Sequence, residues 1–183
     1  MTYVNTQTSY GSIAKSFHWL LFFLILIMLG VGFSLGLDLV TNPALRKPLL
    51  NIHKLVGLLV LLLMLLRGLW ALLNIKPALP PTLKRWERAA ERVVHILLYI
   101  TLIAMPLSGW VMAVAAGKPP HIGQWNIALP GIPISKPLSH AFFNIHAILA
   151  VAIMVLVGIH ILAALKHYFY DRDNVLQTMW PGM

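Results

Sequence analysis

The sequence contains no cysteine among its 183 residues. Disulfide bonds, iron–sulfur clusters and thiolate ligation of a metal are therefore excluded, and so is covalent attachment of haem through a C-x-x-C-H motif. A chain without thiols is compatible with either side of a membrane, so this absence does not indicate a redox compartment. Any redox chemistry in this protein depends on ligands other than thiolates.

Charged residues are also scarce. Only 10% of the residues are charged, and just 5 are acidic, whereas 59% are hydrophobic. A soluble domain is typically about 25% charged and 45–50% apolar. The composition therefore indicates an integral membrane protein. The lipid bilayer is its main solvent and is predicted to be one of its partners.

Apolar runs divide the chain into four predicted helices, at about 17–37, 52–73, 92–116 and 140–166. Each is long enough to cross about 30 Å of hydrocarbon. The first run could instead be a signal peptide, but it is long for an h-region and no clear cleavage site follows it, so we expect it to be retained. The proline-containing segments between the runs are predicted to be connections. The predicted fold class is all-α, with residues 1–183 forming a single membrane-embedded four-helix transmembrane bundle.

Lysine and arginine are unevenly divided between the two sets of connections. One side has Lys15, Lys76, Lys84, Arg85, Arg88, Arg92, Lys166 and Arg172, and the other has Arg46, Lys47, Lys54, Lys118 and Lys136. Because the more basic connections stay in the cytoplasm, both termini are predicted to be cytoplasmic. Nucleic acid is not expected as a partner of this +9 chain, since its basic residues lie between apolar runs rather than on one polar face.

Four histidines lie in the predicted spans or at their ends. His146 and His160 are 14 residues apart on the fourth helix, which returns to within about 40° of one face and separates the imidazoles by about 21 Å. Because the helices are antiparallel, His18 and His160 are both predicted to lie near the cytoplasmic (inner) side. His53 and His146 are both predicted to lie near the outer side. Two imidazoles from different helices at one depth fit bis-imidazole ligation of haem iron. The sequence therefore predicts two non-covalent haem b groups, one for each pair.

Other interpretations of these four histidines fit less well. A lone membrane histidine is often a hydrogen-bonded core residue, but two matched pairs make a purely structural role for all four improbable. Zinc needs three or four ligands at one point, and a proton relay would more naturally include acidic residues, which the spans lack. Among the other histidines, His95 is expected to be structural, and His121 and His140 to lie in loops or at the interface.

Two further residues are candidates for binding. His167 lies seven residues beyond His160 on the same face, at the cytoplasmic edge. It could hydrogen-bond a quinone carbonyl or a haem propionate, or it could be a solvated surface group. Arg67 lies inside the second helix toward its cytoplasmic end, where it could pair with a propionate or extend its side chain to the interface.

Several motifs resemble those of the bacterial di-haem cytochrome b561 family. The segment SFHWL around His18 resembles the family's S-x-H-W-L motif, and the segment around His53 looks like its second-helix ligand region. AMPLSG, which begins at Ala104, is similar to A-L-P-x-x-G in helix three. His146, GIH ending at His160, and the tail that continues through His167, Asp171, Arg172 and Asp173 match the fourth helix and tail. Tyr168 departs from the pattern, because the family often has a second histidine there.

The resemblance implies a function as well as a fold. The short bacterial members imply a superoxide:ubiquinone oxidoreductase of the inner membrane, in which superoxide gives an electron at the periplasmic face and quinone is reduced through the haems. It also implies the four haem ligands above and places Lys84 and His167 in quinone-side positions. The basic residues of the outer side could attract superoxide by electrostatic steering.

Two other functions remain open at this stage. The wider superfamily includes b-type subunits of nickel–iron hydrogenases and formate dehydrogenases. The chain could therefore be a haem-bearing membrane anchor that passes electrons between a redox protein partner and the quinone pool. A haem-free transporter is the third hypothesis, but the nearly charge-free spans do not suggest an aqueous path.

Overall fold

The computed structural model describes residues 2–181, and most of them are helical. Four long helices form the body of the protein: α1 Ser12–Gly36, α2 Pro43–Leu73, α3 Arg85–Ala115 and α4 Lys136–Lys166. All four are long and apolar enough to cross a membrane, which confirms the predicted all-α bundle of four membrane helices. We call the end of the bundle that holds both termini the inner end, and the opposite end the outer end.

Every helix begins earlier than the sequence predicted, and α2 shows why. It begins at Pro43 rather than near residue 52, because the side chain of Asn42 caps it by accepting the N–H of Ala44 at 3.0 Å. Proline suits the first turn, where its missing N–H has no helical partner to lose. The starts of α1, α3 and α4 move from 17 to 12, from 92 to 85 and from 140 to 136. The predictions followed the apolar runs, whereas additional N-terminal turns, capped by a side chain in α2 and α4, extend the helices beyond them.

The segment between α3 and α4 covers the outer end. It contains a small antiparallel hairpin, β1 His121–Ile122 and β2 Trp125–Asn126, where no long element was expected. Asn51 of α2 holds this hairpin with both atoms of its amide: Nδ2 donates to the carbonyl of His121 at 2.8 Å, and Oδ1 accepts the N–H of the same residue at 3.1 Å. The outer cover is thus fixed to the bundle by hydrogen bonds.

The C-terminal tail closes the inner end. After α4 the chain forms a π-helical turn, His167–Asp171, and a short helix, α5 Val175–Met179. The backbone N–H of Tyr10 donates to the carbonyl of Thr178 at 3.4 Å, and the indole N–H of Trp19 donates to the carbonyl of Met179 at 3.0 Å. The two termini are therefore joined to each other across the start of α1.

The helices pack unevenly, and this leaves room inside the bundle. Helix α4 packs along α3, α3 packs on α2 and α2 packs on α1, whereas the backbone of α4 comes close to α1 and α2 at few points. A small set of side chains, including Leu21, Met64 and Ile153, is almost fully buried and forms the core. Apolar residues such as Leu72, which is 86% exposed, face outward because lipid surrounds a membrane bundle.

Candidate functional site

The four intramembrane histidines meet in two pairs. The ring centroids of His18 and His160 are 6.0 Å apart, and those of His53 and His146 are 6.5 Å apart. Each pair connects α4 to a helix that its backbone barely approaches. One pair lies toward the inner end and the other toward the outer end, as expected from their positions in the sequence.

A cavity of about 440 Å³ adjoins the outer pair. Residues of all four long helices line it, and most of them are apolar, so His53 and His146 are among the few polar groups that it contains. Cofactor sites commonly have this character: several hundred cubic ångströms of largely apolar wall with a few placed polar groups. The outer pair therefore faces a space suited to a large apolar ligand.

His146 is held in a defined orientation by α3. Its Nδ1 lies 3.0 Å from the carbonyl oxygen of Met105 and 3.0 Å from the hydroxyl of Ser108. Because a carbonyl oxygen can only accept, Nδ1 carries the ring hydrogen and Nε2 carries none. Hydrogen bonds of this kind orient a metal-binding imidazole and fix its tautomer.

Two glycines let the helices approach these imidazoles closely. A Cβ atom added at Gly109 would lie 2.9 Å from Cε1 of His146, and one added at Gly32 would lie 3.2 Å from Cε1 of His53. Optimal contacts between carbon atoms are about 3.5–4.0 Å. The absence of a side chain at Gly109 is therefore a condition for the observed position of His146.

His53 has a buried ring nitrogen to satisfy. Its Nδ1 has no hydrogen-bond partner within residues 2–181. Leaving such an atom unpaired is costly, and its position beside the cavity suggests that a bound group completes its surroundings. Nδ1 of His146 has partners in the protein, the carbonyl of Met105 and the hydroxyl of Ser108. Nδ1 of His53 has none among the described residues.

The spacing of both pairs fits an iron ion between two imidazoles. Two metal–nitrogen bonds of about 2 Å each, added to the ring radii, separate the centroids by roughly 6 Å. The observed separations are 6.0 and 6.5 Å. The donor set, the orphaned nitrogen of His53 and the apolar cavity together fit a bis-histidine haem.

Arg67 lies against the inner pair rather than reaching the interface. Its Nη2 donates to Nδ1 of His18 at 3.3 Å, and its guanidinium lies 5.8 Å from the ring centroid of Tyr99. A guanidinium over an aromatic ring is stabilised by a cation–π interaction. The positive charge of Arg67, inside the second membrane helix, therefore lies next to His18, the predicted ligand of the inner haem.

The structure brings a third imidazole, His95, to the inner pair. Its ring centroid is 5.2 Å from that of His160, whereas the sequence suggested only a structural role. Its Nδ1 lies 2.9 Å from the carboxylate of Glu91, which also accepts from Lys76 at 2.8 Å. Burial, followed by the nearby charge of Glu91, raises the pKa of Tyr10 in the adjacent N-terminal segment. The only sequence signal for this cluster was the four-residue spacing of Glu91 and His95.

His167 is buried at the start of the π-helical turn. Its Nδ1 lies 2.9 Å from a carboxylate oxygen of Asp171 and 2.8 Å from one of Asp173. Asp171 also accepts from Lys166 at 2.7 Å. His167 is therefore not the solvated surface group that was the alternative expectation.

Lys84 lies at the same end of the bundle as His167. Its backbone N–H donates to the carboxylate of Glu87 at 2.9 Å, and Glu87 accepts from Lys166, the neighbour of His167, at 2.8 Å. The side chain of Lys84 is exposed. The structure therefore places the two predicted quinone-side residues at one end of the bundle, linked through Glu87 and Lys166.

Two basic side chains form part of the wall of the outer cavity. Arg46 and Lys54 line the cavity, and Lys54 donates to the carbonyl of Lys118 at 2.7 Å. Arg46 forms an ion pair with Asp38 at 2.9 Å. The exposed histidines His121 and His140 lie in the hairpin and at the start of α4, as expected for loop and interfacial groups.

Comparison with known proteins identifies relatives over nearly the whole chain. A family model described as prokaryotic cytochrome b561 matches residues 9–182. Cytochrome b561 homolog 2 of Escherichia coli (strain K12) is 32% identical, over 98% of this chain and 95% of its own. Cytochrome b561 homolog 1 of the same organism is 31% identical over 57% and 59%. A probable superoxide oxidase CybB of Yersinia pestis is 26% identical over 94% of this chain and 96% of its own.

Proposed function

The chain belongs to the prokaryotic cytochrome b561 family, and we propose that it is a di-haem member that transfers electrons from superoxide to ubiquinone. Membership makes it a membrane b-type cytochrome that binds haem and transfers electrons. The observation that carries the finer proposal is the presence of two histidine pairs, near opposite ends of the bundle, at separations of 6.0 and 6.5 Å.

In this proposal, His53 and His146 would hold the outer haem iron, and His18 and His160 would hold the inner one. A haem held by two imidazoles would supply one-electron transfer rather than oxygen binding. Met105 and Ser108 keep Nε2 of His146 free of hydrogen, as a metal ligand requires. Helix α4 contributes one ligand to each site.

Arg67 is proposed to bind a haem propionate at the inner site. Its guanidinium now donates to Nδ1 of His18. If His18 binds iron through Nε2, its ring hydrogen must lie on Nδ1, and Arg67 then needs another acceptor. A carboxylate is the acceptor that guanidinium binds most strongly.

Superoxide is the proposed donor, at the outer end. Arg46 and Lys54 line the cavity that holds His53 and His146, and an anion approaching this mouth meets positive charge. The printed name of the Yersinia pestis relative, a probable superoxide oxidase, supports the same chemistry. In the proposed orientation the outer end faces the periplasm and the chain resides in the bacterial inner membrane.

Ubiquinone is the proposed acceptor, at the inner end. Lys84 and His167 are the candidates to bind its carbonyl oxygens, and the link through Glu87 and Lys166 supports their placement at one end. The protons of quinol formation would then come from the cytoplasm. In this proposal electrons cross the membrane from the outer end, where Arg46 and Lys54 line the cavity, to the inner end, where Lys84 and His167 lie.

A haem-bearing anchor for a redox partner is the second candidate. The outer hairpin exposes Ile122 and Trp125, which are 63% and 74% exposed. Exposed apolar side chains at a bundle end suit a docking subunit as well as the lipid interface. An anchor would co-purify with a partner and would not oxidise superoxide alone.

Stopped-flow spectroscopy of the purified protein separates these functions. We expect superoxide to reduce the haem in the isolated chain, and added ubiquinone to return it to the oxidised state. Haem that superoxide leaves oxidised, but that a co-purified dehydrogenase reduces, would support the anchor instead. A protein without b-type absorption bands would contradict both.

The substitution Gly109→Ala tests how the outer site is built. The new methyl group would lie 2.9 Å from His146, so it should displace the imidazole and weaken outer haem binding about 10- to 100-fold, as loss of supporting contacts does at metal sites. The haem-to-protein ratio after purification and dilution measures this loss.

Gly30→Ala provides the matched control. Apart from its chain neighbours and the nearby backbone of its own helix, no described atom lies within 4 Å of a Cβ built at Gly30, and alanine favours helix over glycine by about 1 kcal/mol. We expect this variant to keep the full haem content. Equal haem retention by both variants would show that the approach of Gly109 does not position His146.

A further inference from the structure

The tail of the protein contains an imidazole–carboxylate pair whose geometry fixes which nitrogen is available. Nδ1 of His167 lies 2.8 Å from Oδ2 of Asp173. An ionised carboxylate only accepts hydrogen bonds, so Nδ1 is the donor and carries hydrogen. Nε2 is left as the atom that can exchange a proton with a ligand.

The backbone after α4 is folded so that this contact forms. The chain leaves the α-helix through the π-helical turn and reverses at Arg172, which has a left-handed φ of 52°. The N–H of Asp173 then donates to the carbonyl of His167 at 3.2 Å. π-Helical turns are rare and often accompany functional sites.

Asp173 is itself fixed at both oxygens. Oδ1 accepts the N–H of Val175 at 3.0 Å, while Oδ2 contacts His167. Its side chain is only 10% exposed. The carboxylate therefore cannot turn away without losing a contact on each side.

Asp171 is less suited to this role because it is shared. The Oδ2 atom that lies 2.9 Å from His167 also accepts from Lys166 at 2.7 Å. Lys166 in turn bonds Glu87 of α3 at 2.8 Å. In residues 2–181, the charged groups that contact His167 or its partners include Lys166, Asp171, Asp173 and, one contact further, Glu87, and α5 adds the backbone amide of Val175.

We propose that Asp173 is a positioning residue that holds His167 with Nδ1 protonated, so that Nε2 delivers a proton to the reduced quinone. This inference rests on the proposed quinone site. Two superoxide anions become two O₂ and supply two electrons, and the quinone takes these with two protons to become quinol. His167 gives one of these protons, from Nε2, to a quinone oxygen and becomes neutral with hydrogen on Nδ1. Cytoplasmic water supplies the second proton and then reprotonates His167.

The carboxylate matters because an amide in its place can present a hydrogen-bond donor to Nδ1 of His167 instead of an acceptor. The side chain of Asp173→Asn can turn its NH₂ group toward Nδ1, which then accepts and leaves the neutral ring with hydrogen on Nε2. Such tautomer errors severely impair imidazole acid–base chemistry even when the geometry is kept. Asp173→Glu retains the carboxylate and serves as the conservative variant.

The test uses the haem-loaded, full-length protein in detergent with a short-chain ubiquinone. We expect Asp173→Asn to lower kcat for quinone reduction about 10- to 100-fold, with a smaller change in KM and with haem reduction by superoxide unchanged. The dependence of turnover on pH should differ between the wild type and the variant, because the two present different ring nitrogens for proton transfer. Asp173→Glu should recover part of the rate.

Two controls separate positioning from folding and from the quinone assignment. Tyr170→Phe changes an 83%-exposed side chain of the same π-helical turn, and should retain the wild-type rate and pH profile. ¹⁵N NMR of histidine-labelled protein, assigned with His167→Gln, should show hydrogen on Nδ1 of His167 and a changed tautomer in Asp173→Asn.

The possible outcomes distinguish the two proposals. A wild-type protein that reduces quinone, with an Asp173→Asn variant of equal kcat and pH profile, would overturn the role of Asp173 alone. A wild-type protein whose haem is reduced but passes no electrons to quinone would overturn the acceptor assignment, and this inference with it.

Discussion

Replacing His146 with alanine is expected to remove the outer haem and leave the inner one in place. His146 is the proposed outer ligand from α4 and is half-buried beside the cavity, while His160, the proposed inner ligand from the same helix, lies about 21 Å away. Because the two pairs have no histidine in common, losing one haem should not empty the other site. Haem per protein, measured from the reduced-minus-oxidised spectrum and the protein concentration, should fall from two to one.

His140→Ala is the matched control for that substitution. His140 lies on the same helix but is exposed, and its ring centroid is 6.5 Å from that of Phe143. Its removal should leave both haems bound. Loss of both haems in His146→Ala, with helix content unchanged by circular dichroism, would contradict the pairing of His146 with His53.

Replacing His160 with alanine should have the opposite functional effect. The inner haem would be lost, while His53, His146 and the basic mouth at Arg46 remain intact. Superoxide should still reduce the remaining haem in stopped-flow experiments, but the electron should no longer reach quinone at the inner end. We expect quinone reduction to fall to the background rate of superoxide and quinone alone.

The two histidine variants form a reciprocal pair. His146→Ala should lose reduction by superoxide while keeping a haem that quinol can reduce from the inner end, and His160→Ala should behave in the reverse way. If His160→Ala reduced quinone at the wild-type rate, the acceptor would have to lie at the outer end and the proposed direction of transfer would be wrong.

The histidine pairs could be anticipated from the sequence because two strong constraints act on it. Lipid requires long apolar helices, and antiparallel order then fixes the depth of each residue from its place in its span. His18 and His160 were therefore assigned to one end and His53 and His146 to the other, and the structure brings the same pairs to within 6.5 Å. The depth of a residue in the membrane follows from its position along one helix, so it can be predicted from the sequence.

The helix starts were predicted too late, whereas the C-terminal ends agree within one residue. In α2 and α4 the starts were missed because hydropathy does not register capping. Asn42 and Ser135 both accept a backbone N–H at a helix start, in segments that were interpreted as connections from their prolines. Proline in the first turn is compatible with a helix. Pro48 shows the same limit: it lies inside α2, although it had been assigned to a loop.

Contacts between helices were the part of the site that was hardest to predict from the sequence. Ser108 supports His146 across thirty-eight positions of sequence, and His95 reaches His160 only through the packing of α3 on α4. Neither contact follows from hydropathy or from depth, because both depend on the rotation of one helix against another. The dyad of His167 and Asp173 likewise depends on the reversal at Arg172.

The most direct test of the account is the number and coordination of haems in the wild-type protein. Haem content per chain, measured by alkaline pyridine haemochrome assay, should be two, and electron paramagnetic resonance of the oxidised protein should show two low-spin signals from bis-histidine ligation. One haem per chain, or a high-spin signal from iron with a single imidazole, would contradict the assignment of the two histidine pairs.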